Sequence, residues 1–214
     1  LFKGLNAYAV SHFETVINED PSFSSARYLL GIAYFAGGQI KLAEKSLIGA
    51  LVADPGNVDT LLALSFLLYK KKEYELSLKY FEKALLIDKI NPRGFIGKGL
   101  CHFEQRRFKK ASNEFLKGAF LMNKASSLYF YGLALERQKK HRESAEVYNH
   151  ALKLDSGLAD LLRRYLHILV KLEEESKASE FIEFVLKKNP EDLKLYFIAA
   201  EFYYLAGHPE KAKR

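Results

Sequence analysis

The chain has no tryptophan, one cysteine, one methionine and five prolines in 214 residues. A lone Cys101 excludes an internal disulfide and a thiolate-based zinc site, and it does not point to a disulfide-stapled secreted scaffold. Long apolar runs are also missing. The best stretch, Leu61 to Tyr69, falls far short of the roughly 20 residues a membrane-spanning helix needs, and no leader segment is visible. Phosphate-loop and nucleophile-elbow patterns are absent. The six histidines (12, 102, 141, 150, 167 and 208) include no pair at i, i+4, so one helix does not encode a metal pair. No catalytic, metal or cofactor set can be assembled, and the expectation is a chain without turnover or cofactor. The compartment is left open.

What is present is an ample core, with 49% hydrophobic and 14% aromatic residues and no low-complexity tract. Lys plus Arg outnumber Asp plus Glu by 33 to 26, a formal charge of +7, so the placement of the cations decides whether they matter.

The organising stretch is Ser24 to Asn57. Leu30, Gly31 and Tyr34 recur at helical spacing, with Arg27 where other copies are apolar. Gly37-Gly38 then makes a turn. Ala43, Leu47 and Ala50 follow at i, i+4, i+7, one face of a second helix. Asp54-Pro55-Gly56-Asn57 closes the segment. Small residues at Gly31, Ala43 and Ala50 let the two helices approach, and Tyr34 and Leu47 fill the space beside them.

The same pattern returns every 34 residues. Ala9, Ser77, Ala111, Ser144, Ala178 and Ala212 take the slot of Ala43. Phe13, Phe81, Phe115, Tyr148 and Ile182 take that of Leu47. A fixed period with size-matched slots signals a solenoid, and this one resembles the tetratricopeptide repeat along the whole chain. It departs from that family in lacking tryptophan, with Leu61, Phe95, Leu128, Leu162 and Tyr196 in its slot. The terminal proline is present only as Pro21, Pro55 and Pro190. The resemblance implies an all-α, right-handed superhelical solenoid of antiparallel helix pairs. Full repeats are expected at 24–57, 58–91, 92–124, 125–158 and 159–192, with partial ones at 1–23 and 193–214, as a single array excerpted from a longer protein. The third repeat counts 33 residues. All five prolines fall at expected helix boundaries, Pro92 and Pro209 at helix starts.

The family's first helices line a concave face. The positions carried over are Tyr28, Ile32 and Phe35, then Leu62, Phe66 and Tyr69, then Ile96, Leu100 and Phe103, then Tyr129 and Leu133 with Glu136. Arg163, His167 and Val170 follow, and finally Phe197, Glu201 and Tyr204. Four consecutive apolar residues hold the central slot, and a contiguous apolar patch marks an interaction site. The expected ligand is an apolar or amphipathic peptide. The carboxylate clamp known in the family for chaperone tails uses Lys and Asn. Tyr28 and Ile32, or Leu62 and Phe66, cannot supply it, so chaperone tails are not expected partners.

Cations cluster at the turns inside consecutive repeats: Lys70, Lys71 and Lys72; Arg106, Arg107, Lys109 and Lys110; Arg137, Lys139, Lys140 and Arg142. Stacking would align them as a ridge, ended by Glu173 to Glu175. A solubility role is the ordinary reading of such turns. A site for an acidic protein, an anionic lipid surface or nucleic acid is the alternative, although the interleaved aromatics that nucleic acid calls for are missing. A scaffold segment of a larger enzyme is a further alternative. One repeat is unusual, with Lys98 and His102 in apolar slots and glycines at 94, 97 and 99. A local register shift with Lys98 snorkelling is expected there, or else a softened hinge. Cys101 falls on the packing side and is expected to be an inert core thiol.

Overall fold

The computed structural model describes residues 2–208 and 210–212, with side chains from residue 8 onward. Among the described residues there are twelve α-helices: α1 Phe2–Glu19, α2 Ser24–Ala36, α3 Ile40–Ala53, α4 Val58–Lys70, α5 Tyr74–Ile87, α6 Pro92–Glu104, α7 Phe108–Met122, α8 Ala125–Arg137, α9 His141–Leu154, α10 Ala159–Lys171, α11 Glu175–Lys188 and α12 Leu193–Leu205. No strand occurs among the described residues. The helices gather into two compact units, residues 1–107 with α1 to α6 and residues 108–214 with α7 to α12.

The starts of α4, α6 and α12 are capped by a side chain. The Asn57 side chain accepts from the Thr60 amide at 2.9 Å and from its hydroxyl at 2.8 Å. Asn91 accepts from the Arg93 and Gly94 amides at 3.0 and 3.3 Å, and Asp192 accepts from the Lys194 amide at 3.0 Å. These are N-caps that satisfy otherwise orphaned donors. Pro92 occupies the first turn of α6, where its missing N–H costs nothing. Pro21, Pro55 and Pro190 lie in the loops, and Pro209 lies outside the described residues.

The turns after α2, α4, α6, α8, α10 and α12 share one hydrogen-bond pattern. After α2, the Gly38 amide donates to the Phe35 carbonyl at 3.0 Å and the Gln39 amide to that of Tyr34 at 2.8 Å. Lys72, Arg106, Lys139, Glu173 and Gly207 repeat the first bond, and the residue after each repeats the second. These are Schellman closures, which require a left-handed residue. Gly38 and Gly207 supply it at φ of 74° and 80°. Lys72, Arg106, Lys139 and Glu173 adopt it at 63°, 59°, 63° and 59° despite carrying side chains.

In unit 1, Leu47 and Ala43 pack with Leu64, Leu67 and Leu68. Phe81, Leu78 and Ala84 pack with Leu61, Leu62 and Cys101. A Cβ added to Gly31 would stand 2.7 Å from Leu47 Cγ, so that slot has room only for hydrogen. In unit 2, Tyr148, Tyr165, Leu162, Ile182 and Phe202 belong to one continuous core. Two buried serines bridge their helix pairs. Ser77 Oγ donates to the Ser65 carbonyl and Ser144 Oγ to that of Gly132, each at 2.8 Å.

The unusual repeat shows no register shift, because α6 begins 34 residues after α4, as α4 begins 34 after α2. Its glycines are buried, and a Cβ at Gly97 would overlap the Phe81 ring. Lys98 reaches out from a largely covered position to Glu82 at 3.4 Å. The short repeat loses its residue in the loop before α8, where only residues 123 and 124 separate the helices.

Candidate functional site

The first-helix positions expected to line an open apolar groove are mostly half-buried. In unit 1, Ile32 is 36% exposed. Tyr28, Phe35, Phe66, Tyr69, Ile96, Leu100 and Phe103 are half-buried. Leu62 is 0% exposed, and its assignment to the groove is corrected. In α4, eight of thirteen residues are buried, because this helix has packed neighbours on most sides, and Leu62 sits against Phe81 and Leu78. Phe66 makes an edge contact with Phe81, the ring centroids 4.9 Å apart. The Tyr69 hydroxyl donates to Glu104 at 3.3 Å. Burial first, and Glu104 second, push the Tyr69 phenol up to about 12. In unit 2, Tyr129 and Leu133 are likewise half-buried.

The open space on the first-helix face of unit 2 lies elsewhere. A cleft of about 340 Å³ between α10 and α12 is lined by Leu166, Val170, Ile198, Phe202 and Leu205, with Arg163, His167, Lys171 and Glu201 beside them. A second, more polar cleft of about 480 Å³ between α8 and α10 is lined by Tyr129, Glu136, Asp160, Arg163, Arg164 and His167. Arg163 and His167 belong to both. Both clefts use helices that begin successive repeats, so their side chains recur about 34 residues apart in sequence and meet in space.

The charges between these clefts form a bonded set. Arg163 Nε donates to Glu201 at 2.9 Å and its Nη1 to Asp160 at 3.2 Å. Arg164 donates to Glu136 at 3.2 Å and to the Tyr129 hydroxyl at 3.3 Å. Tyr148 donates to Glu136 at 3.1 Å. Burial, reinforced by the Glu136 carboxylate, drives the Tyr148 phenol far above its ordinary range, so it stays a neutral donor. The Arg164–Glu136 pair is part-buried and the Arg163 pairs are exposed; a charge already held by its partner orients a polar ligand at little further ordering cost.

Sequence reasoning placed Arg163, His167, Val170 and Glu201 on this face. It missed Leu166, Ile198, Phe202 and Leu205, which make the apolar wall. It also missed Arg164, whose pairing with a residue 28 positions earlier no periodicity reports. Phe197 and Tyr204 are exposed at 68% and 72% and do not line the cleft.

The eleven turn cations are all exposed, but several are already engaged. Lys71 contacts Glu44 at 2.9 Å and Glu73 at 2.7 Å, Arg107 contacts Glu75 at 3.2 Å, and Lys140 contacts Glu143 at 3.0 Å. Lys72, Arg106 and Lys139 occupy the left-handed closures described above. Cations at these helix ends also oppose the negative end of the helix dipole. Among the described residues there is no cluster of three His, Cys, Asp or Glu able to hold a metal, and no helix is long and apolar enough to cross a membrane.

The family profile described as tetratricopeptide repeat matches residues 3–58, 28–94 and 97–159. The chain belongs to the tetratricopeptide-repeat family. It is 25% identical over 186 residues to the type IV pilus assembly protein PilF of Pseudomonas aeruginosa, covering 84% of this chain and 74% of that protein. It is 23% identical over 133 residues to anaphase-promoting complex subunit 3 of Schizosaccharomyces pombe, covering 62% of this chain and 20% of that protein. Among solved structures, Pseudomonas aeruginosa pilF superposes with a TM-score of 0.72 at 21% identity, covering 92% of this chain and 89% of the other. YrrB, described as a TPR protein with an unusual peptide-binding site, superposes with a TM-score of 0.66 at 18% identity, covering 86% and 95%. The fold is therefore the helix-pair repeat of a family whose members are generally protein-interaction scaffolds.

Proposed function

We propose that this protein is a non-enzymatic interaction scaffold that holds an apolar or amphipathic peptide on its first-helix face. The observation that carries this reading is the α10/α12 cleft, whose apolar wall of Leu166, Val170, Ile198, Phe202 and Leu205 adjoins the fixed charges of Arg163 and Glu201. One large apolar side chain fits the wall, and polar groups beside it meet Arg163, His167 and the α8/α10 cleft. An apolar pocket with a few convergent polar groups is the usual form of a binding site. A relative named for pilus assembly and a structural neighbour described by its peptide-binding site agree with a scaffold role. The basic turns support an anionic partner less well, since Lys71, Arg107 and Lys140 already face carboxylates.

The test is selection of peptides from a random display library on the intact chain, followed by calorimetric titration of the selected peptide. Val170→Asp and Arg163→Glu should each weaken binding roughly tenfold or more, about 1.4 kcal/mol, with little change in melting temperature. Selected peptides that bind both variants as tightly as the parent would rule out this face.

A further inference from the structure

The acids and the lysines of α3 and α5 in unit 1 differ in what they face. The acids of these two helices are Glu44, Glu75 and Glu82. Each is turned to a partner outside α3 and α5: Glu44 to Lys71, Glu75 to Arg107 and Gln105, and Glu82 to Lys98. At the helix ends, Asp54 and Asp88 accept bonds from their own loops, from Gly56 and from Ile90 and Asn91. The lysines are different. Lys41, Lys45, Lys79 and Lys83 are all exposed, and none of them makes an ion pair with a described carboxylate.

Between the two helices runs a cleft of about 240 Å³, lined by Ile48, Leu51, Val52, Pro55, Leu61, Tyr80 and Lys83. Its rim is apolar and open to water, with Ile48 46% and Val52 78% exposed. Leu86 and Ile87, one turn after Lys83 on α5, are also exposed. The Lys83 ammonium stands 5.2 Å from the centre of the Tyr80 ring, a cation–π contact that holds the charge at the edge of the cleft. On α3, Lys45 lies one turn before Ile48 and Gly49, and Lys41 one turn before Lys45, so the cations continue the line of the apolar rim.

We propose that this outer groove is a second docking site whose occupant is an acidic amphipathic helix of another protein. Apolar side chains at i, i+3, i+4 and i+7 of the occupant fill the space over Ile48, Val52 and Tyr80. Its flanking Glu and Asp meet Lys45 on one wall and Lys83 on the other, where no resident acid competes. A hollow floored by Leu61 and Pro55 receives a protruding side chain, whereas a flat lipid surface leaves it empty. The site is on α3 and α5 and shares no residue with the α10/α12 cleft.

The test uses the intact chain and a fluorescent synthetic helix of about 18 residues. It has leucines at i, i+3, i+4 and i+7 spacing flanked by glutamates, and is compared with a scrambled peptide of the same composition. The ordered peptide should bind saturably, at least roughly tenfold tighter than the scrambled one, and weaken with salt. Lys45→Glu with Lys83→Glu should cost a further factor of roughly ten or more at unchanged melting temperature, while Val170→Asp leaves binding alone. Equal binding of the two peptides, or indifference to the lysine reversals, overturns the proposal. So does a result in which only phosphatidylglycerol vesicles bind this face, or in which sedimentation shows the chain pairing with itself through it.

Discussion

Lys72, Arg106 and Lys139 hold φ near 60°, where an L side chain crowds its own backbone by roughly 1–2 kcal/mol. Gly38 and Gly207 meet the same demand without that crowding. Replacing any one of the three by glycine should therefore stabilise the fold by about 0.5–1 kcal/mol, the relief of strain exceeding the added freedom of the unfolded chain. Thermal unfolding of the single variants checks this, and Tm unchanged or lowered in all three would contradict it. Tyr69 gives a pH signature. Its phenol ionises near its ordinary value of 10.0 when unfolded and only at about 12 when folded. The unfolded chain thus loses this proton first, and the Tyr69 contribution to stability, full below pH 10, declines as pH rises toward 12. Tyr69→Phe should lose stability less steeply across that window, which denaturant midpoints measured at several alkaline pH values would show.

At the scale of helices, close approach is the governing constraint. Gly97 lies under the Phe81 ring and Gly132 under that of Tyr148, and both rings are fully buried. An alanine at either position gains helix propensity but forces a packed ring to move, so each should destabilise by about 1–3 kcal/mol net. Phe81→Leu combined with Gly97→Ala should recover part of the loss, a non-additivity that a double-mutant cycle measures directly. Full additivity would mean the ring is not the obstacle. The glycines of α6 looked in sequence like a weakness or a slipped register. The period had already assigned the helix pairs, because size alternation at Ala43, Leu47 and their equivalents is a local signal repeated many times. What the period could not reveal was which neighbour a small residue makes room for. Gly97 makes room for Phe81 on α5 of the preceding repeat. Leu62 escaped for the same reason. Family geometry puts its slot on the groove, while the burial of α4 draws it into the core. Arg164 was illegible because its partners, Glu136 and Tyr129, belong to the repeat before.

At the scale of the whole molecule, helices packed on their sequence neighbours make stability a sum of neighbour terms rather than one long-range network. Local openings can then be read one region at a time, and Cys101 offers a built-in way to do so. It is the only cysteine, it is 0% exposed, and its thiol donates to Ser77 Oγ at 3.3 Å. Burial raises that thiol's pKa above its ordinary value, and the thiol is covered by α4 and α5, so a disulfide reagent reaches it only when α6 parts from them. Labelling of the unmodified chain is therefore a clock for that parting, with no engineered probe to perturb it. When reclosing outruns reaction, a ligand that binds only while α5 is in its native place should slow the clock by the factor 1 + [L]/Kd. At a hundred times its Kd the slowing approaches about a hundredfold. The acidic helix of the outer groove should do this, and its scrambled counterpart should leave the clock running at its original rate.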